Sequence, residues 1–204
     1  MRLKPYIGLT LALFFVGAAH LTFSQTAPAA TETRVPLAIG AGLSGFNPDF
    51  GHGHLVGGTL WIDYTLTRVP SLLQGIGIEA EARDLNYDRS STESSNLRED
   101  TAGGGLVYSW PHFRNFRPYG KFLAEYGNTD YIGFEGMHNH DSRNFYAEGG
   151  GVEFRTVQNL WVRVDYEYQT WPDFFRHPAT IYPLKPQGFT IGALYHFDHF
   201  SPRY

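Results

Sequence analysis

The chain has 204 residues, with 16 Lys and Arg against 20 Asp and Glu for a formal charge of −4, and aromatics make up 16% of it. That acidic balance excludes a protein that tracks a nucleic-acid backbone. The lack of cysteine excludes disulfide staples, thiolate metal sites and cysteine nucleophiles.

Residues 1–24 read as a secretory signal peptide. Arg2 and Lys4 precede an apolar run over residues 7–19, and Thr22, Phe23 and Ser24 offer a small-residue cleavage site. Cleavage there would remove two cations and no acid, taking the charge from −4 to −6. Residues 25–33, rich in Ala, Thr, Pro and Glu, form a flexible lead-in. No later stretch approaches 18 consecutive apolar residues, so no helical membrane span is expected.

From residue 34 onward, runs of period two alternate with turn signals: residues 34–45, 55–67, 75–87, 100–110, 119–127, 145–156, 160–171 and 188–197. In the second run Val56, Leu60, Ile62 and Tyr64 oppose Thr59, Trp61 and Asp63. In the third, Ile76, Ile78, Ala80 and Ala82 oppose Glu79, Glu81 and Arg83. The fourth sets Leu106, Tyr108 and Trp110 against Thr101, Gly103, Gly105 and Ser109. The fifth places Phe122, Ala124 and Tyr126 opposite Lys121 and Glu125, and the sixth Val152 and Phe154 opposite Glu153 and Arg155. In the seventh, Val162, Val164, Tyr166 and Tyr168 oppose Arg163, Asp165 and Glu167. The last alternates Phe189, Ile191, Ala193, Tyr195 and Phe197 with Gly188, Thr190, Gly192, Leu194 and His196.

Connections 47–54, 88–99, 128–144 and 172–186 are long and polar. They alternate with the mostly shorter 68–74, 111–118 and 157–159. Antiparallel neighbours joined this way gather the long loops at one end, the asymmetry of a transmembrane barrel. Alternation alone also suits a soluble, ligand-carrying barrel with its apolar face inward. Three features favour the membrane version. Tyr64, Tyr108, Trp110, Tyr126, Tyr168, Trp171 and Tyr195 collect near strand ends as interfacial girdles would. The polar face (Asp63, Glu79, Glu81, Arg83, Lys121, Glu125, Glu153, Arg155, Arg163, Asp165 and Glu167) mixes both signs, as a lumen ion-pair network would. Gly103, Gly105, Gly149 and Gly151 thin that face to fit a narrow interior. The expected fold is therefore all-β, an eight-stranded antiparallel up-and-down transmembrane β-barrel over residues 34–197, with a short tail over 198–204.

The chain resembles the small eight-stranded OmpA-like outer-membrane barrels. The resemblance is sharpest over residues 149–156 with 159–168, and over Thr190, Gly192, Tyr195 and Phe197, which look like the C-terminal signal read by the barrel-assembly machinery. It implies a monomer in the outer membrane of a Gram-negative cell, surrounded by lipid and lipopolysaccharide. The tail is too short for the peptidoglycan-binding domain of full-length members, so no cell-wall anchoring is implied.

Chemistry-bearing residues are few. His52 and His54 fall in the first long connection, His138 and His140, followed by Asp141, in the third, and His177 in the fourth. His-x-His with a carboxylate is a feasible Zn²⁺, Ni²⁺ or Cu²⁺ site, yet polar loop filler is the preferred reading, and no metal or cofactor is expected. Lipid A-modifying barrel enzymes, of the deacylase and palmitoyltransferase types, need a Ser or Asp working with a His near the outer rim. Ser142 with His140, or His177 with Thr180, would have to fill that role without either family's motif around them. The expected role is structural or surface-interacting and without catalytic activity. A lipid A-modifying enzyme is the first alternative, and a narrow ion path or a soluble carrier the second.

Overall fold

The computed structural model describes residues 36–49, 53–87, 97–110, 115–132, 138–177 and 180–197. Its strands are β1 (Leu37–Asn47), β2 (Leu55–Thr65), β3 (Ile76–Tyr87), β4 (Arg98–Ser109), β5 (Phe116–Ile132), β6 (His138–Arg155), β7 (Leu160–His177), β8 (Thr180–Leu184) and β9 (Gln187–His196). Each of β1 to β7 pairs antiparallel with the next, and β9 pairs with both β7 and β1. Eight strands thus close a ring, which satisfies every backbone edge that hydrocarbon would leave unpaired. β8 runs along the extracellular end of β7 ahead of β9.

The stagger of the ring follows from its register. Leu37 pairs with Tyr64, Tyr64 with Ile78, Ile78 with Leu106 and Leu106 with Phe122. Phe122 then pairs with Glu148, Glu148 with Tyr168, Tyr168 with Gln187 and Gln187 with Asn47. The circuit re-enters β1 ten residues from its start at Leu37. Ten residues of stagger over eight strands tilt each strand by about 40° and leave an interior wide enough only for side chains.

The apolar parity faces outward. Ile39, Leu43, Leu60, Ile62, Ile78, Leu106, Phe122, Phe189 and Ile191 are all exposed, a cost in water that lipid removes. Aromatic side chains rim the periplasmic edge, where Phe116 meets Phe154 at 5.2 Å and Tyr195 meets Phe197 edge-on at 5.0 Å. Near the other edge Phe122 stacks on Tyr146 at 5.8 Å and Tyr166 packs on Phe189 at 4.9 Å. Between these rims the outward residues form an apolar band of the kind such barrels present to hydrocarbon.

Two expectations change. Trp171 is not part of a girdle. It points inward, is 1% exposed, stacks on Phe145 at 4.2 Å and donates Nε1–H to Gln169 Oε1 at 2.7 Å. It shares the parity of Arg163, Asp165 and Glu167, and that parity decides its direction. The connections 128–144 and 172–186 are also mostly strand. β5 runs on to Ile132, β6 begins at His138, and β7 reaches His177. The outward residues described on the β5 and β6 extensions, Asn128, Asp130, His140, Ser142 and Asn144, are polar because they stand above the lipid, so alternation of hydrophobicity does not mark them.

Candidate functional site: a filled lumen and a polar outer rim

Ion pairs cross the lumen. Arg163 of β7 lies over the Trp61 and Tyr119 rings at 5.0 and 4.2 Å and donates Nε–H to Tyr119 Oη at 2.6 Å. Its other donors reach Glu79 Oε2 at 2.7 Å, Asp63 Oδ2 at 3.2 Å and Asp165 Oδ2 at 3.2 Å. Arg83 of β3 holds both oxygens of Glu167 at 3.0 Å and also contacts Glu81. Between these guanidinium groups, Lys121 Nζ lies 2.7 Å from Glu81 Oε2, 2.8 Å from Glu167 Oε2 and 2.9 Å from Asp165 Oδ2. These side chains are almost wholly buried, where breaking a pair costs several kcal/mol. Arg83 Nε–H also reaches Thr59 Oγ1 at 3.4 Å, joining the cluster to hydroxyl contacts of Ser44 with Thr59 and Thr190 that bridge β1, β2 and β9.

Most of the lumen set predicted from sequence meets in this cluster. Glu153 sits lower and pairs with Arg117 at 3.5 Å. Arg155 is on the inward parity at the periplasmic end of β6. Glu125 is buried with neither carboxylate oxygen hydrogen-bonded. Parity would also have supplied Tyr119, Trp61, Trp161, Arg117 and Glu99, all inward-facing. Glycine makes room for the long side chains. A Cβ on Gly149 would stand 3.0 Å from Lys121 Cε and one on Gly103 2.6 Å from Glu125 Cγ.

Of the proposed assembly residues, Thr190 and Gly192 face the lumen while Tyr195 and Phe197 face outward at the periplasmic rim. Of the proposed metal ligands, His52 and the His138 side chain lie outside the described residues. His54 is exposed ahead of β2. His140 and Asp141 are on β6 rather than in a loop, on opposite faces of the strand. Among the described residues no group of three His, Asp or Glu side chains is placed to hold a metal ion.

What the extended β5–β6 ribbon does gather is a polar row on its outward face. Asp130 of β5 pairs in register with His140 of β6, and Asn128 with Ser142. His140 Nδ1 lies 2.6 Å from Asp130 Oδ1, and His140 Nε2 lies 3.1 Å from Ser142 Oγ. Ser142 Oγ also lies 2.6 Å from Asn128 Oδ1. On the adjoining strands Arg98 is within 3.1 Å of both Asp84 and Asp100. The sequence placed Ser142 beside His140 but missed Asp130. Carrying the period of two past Tyr126 puts Asn128 and Asp130 on the outward row that meets Ser142 and His140.

One outward side chain breaks the apolar band. Glu148 stands between Phe122 and Tyr168 in register, is exposed, and lies on the same row as Tyr146 and Gly150. The other described outward carboxylates, Asp84, Asp100 and Asp130, sit toward the extracellular end.

The family profile described as "Outer membrane protein beta-barrel domain" matches residues 15–197. No curated protein sequence matches the chain. Solved barrels share the architecture at low identity. Neisserial surface protein A superposes with a TM-score of 0.59 at 10% identity, covering 79% of this chain and 96% of its own. OprG of Pseudomonas aeruginosa gives 0.55 at 12%, covering 81% and 97%. Ail, the attachment invasion locus protein of Yersinia pestis, gives 0.50 at 20%, covering 79% and 96%.

Proposed function

The chain belongs to the outer membrane protein β-barrel family, and we propose that it serves the outer membrane as a non-conducting barrel whose working surface is its extracellular outer face. The observation that carries this reading is the pairing of Arg163 with Glu79 and of Arg83 with Glu167. Both pairs join β3 to β7, strands on opposite sides of the eight-stranded ring. With Lys121 between them, buried ion pairs occupy the cross-section that a solute would have to cross, which argues against the narrow ion path.

A barrel with nothing to pass through it has its surface left to work with. Neisserial surface protein A and the attachment invasion locus protein are named for a surface and for attachment, and a surface role of that general kind is what we assign here. Export by a leader over residues 1–24, assembly through Thr190, Gly192, Tyr195 and Phe197, and life as a monomer among lipopolysaccharide belong to the same reading. Planar-bilayer recording of the purified protein tests it. Silence at applied voltage is expected, and regular unitary current steps would overturn it. The hydrogen-bonded row Asp130, His140 and Ser142 favours a second reading, in which that surface is also reactive.

A further inference from the structure

We propose that Ser142, His140 and Asp130 form a nucleophilic relay that hydrolyses ester-linked acyl chains of outer-leaflet lipids. The inference rests on the reading of the outer face as the working surface. Its basis is the geometry of the β5–β6 ribbon. The Asp130 carboxylate is 2.6 Å from Nδ1 of His140, and the opposite ring nitrogen is 3.1 Å from the Ser142 hydroxyl. This order of carboxylate, imidazole and hydroxyl lets one imidazole tautomer act as a base. With Nδ1–H donated to Asp130, Nε2 carries the lone pair that faces Oγ.

Asn128 completes the arrangement. Ser142 Oγ–H donates to Asn128 Oδ1 at 2.6 Å. An amide oxygen and nitrogen exchange places by a half turn, which puts N–H donors on Oγ and leaves the Ser142 proton to Nε2. The same N–H₂ group then stands beside the carbon that Oγ attacks, where it donates to the developing oxyanion.

Position selects the substrate class. Tyr146, Asn144, Ser142 and His140 are successive outward residues of β6, so Ser142 stands four residues above Tyr146. At about 3.3 Å per residue and a tilt of about 40°, that is roughly 10 Å above the stacked Phe122–Tyr146 pair. An acyl chain lying on the wall at Phe122 and Tyr146 would bring its ester linkage to the level of Ser142. The side chains of His140 and Asp130 are 61% and 58% exposed, so the relay is open to lipid and water from outside the barrel.

The chemistry balances with water as the only co-reactant. Ser142 Oγ bonds to the acyl carbonyl carbon as its proton passes to Nε2. The ester C–O bond breaks, and the leaving alkoxide takes that proton. Water then gives a proton to Nε2 and its hydroxide to the acyl carbon. The fatty acid departs and the proton returns to Oγ. Asp130 acts through His140 and is a positioning residue.

The test uses the full-length barrel in two vesicle types, one of phosphatidylethanolamine with phosphatidylglycerol and one containing lipopolysaccharide, with released fatty acid measured by mass spectrometry. A fluorophosphonate probe is applied in parallel. Release from either vesicle and covalent labelling at Ser142 are expected, and the vesicle that responds identifies the lipid. Ser142→Ala should abolish both signals, and His140→Asn should cut release at least 100-fold. Asp130→Asn should lower kcat and change the pH profile of release with little change in KM. Heat-modifiable migration should be unchanged in each variant, since these side chains lie outside the lumen. No release from either vesicle with no labelling of Ser142 would overturn the relay, as would release that survives Ser142→Ala. A silent bilayer recording alongside those results would leave the non-conducting barrel standing and sink only the relay.

Discussion

Arg163 Nη2 lies 2.7 Å from Glu79 Oε2, and β7 and β3 stand half a turn apart in the ring. The bond therefore spans the full width of the lumen. A salt bridge between neighbouring strands would lock a local register, whereas this one ties opposite walls together.

Removing Arg163 should be the costliest single change in the barrel. Arg163→Ala leaves Glu79, Asp63 and Asp165 buried without their guanidinium partner, at a cost of about 3–5 kcal/mol. The double variant Arg163→Met with Glu79→Gln should lose less than the sum of the two single changes, because each removes the other's orphan. Urea unfolding of the barrel in lipid vesicles measures both.

Glu148 should be a liability that lipid exposes. It faces hydrocarbon between Phe122 and Tyr168 and forms no ion pair among the described residues, and an outward carboxylate costs less than a basic residue but still destabilises. Glu148→Leu should raise stability in vesicles by about 1 kcal/mol. A loss of stability in the same urea titration would mean that Glu148 holds a contact of its own.

Glycine should be indispensable where the lumen is full and dispensable on the face turned to lipid. A Cβ on inward Gly103 would run into the Ala124 carbonyl oxygen and stand 2.6 Å from Glu125 Cγ, whereas one on Gly45, on the outward parity of Ile39 and Leu43, would meet nothing within 4 Å. Gly103→Val should cost about 1–3 kcal/mol through overpacking, while Gly45→Val should be close to neutral. Comparing the two midpoints isolates crowding from strand propensity.

Phe197 packs edge-on against Tyr195 at the periplasmic rim and touches nothing in the lumen cluster. If it serves as part of an assembly address, Phe197→Ala should lower the assembled fraction in cells several-fold. Spontaneous folding of the same variant into vesicles should proceed as for the parent. An equal loss in both settings would point to a packing role instead.

Much of this was legible in the chain. Period two fixes which side chains share a face, and the mixed charges of Glu79, Glu81, Arg83, Arg163 and Glu167 fix which face hydrocarbon excludes. The ion pairs joining β3 to β7 were not legible, because they depend on the stagger of the ring, and no local pattern encodes it. Trp171 stands near a strand end, where a girdle aromatic would, but its parity turns it inward. Asp130 was missed because its strand leaves the lipid: above that level both parities are polar, and alternation loses its contrast. Glu148 escaped notice for a related reason, as Gly149, Gly150 and Gly151 beside it blank the pattern on both faces.

Beyond Tyr146, the described part of β6 pairs with β5 alone. Every residue of the ring answers to a lumen on one side and to lipid on the other, so changes there must be matched across the barrel. The ribbon answers only to its own two strands. New surface chemistry is free to arise on it one residue at a time, while the frame beneath stays held by contacts that must match across the barrel.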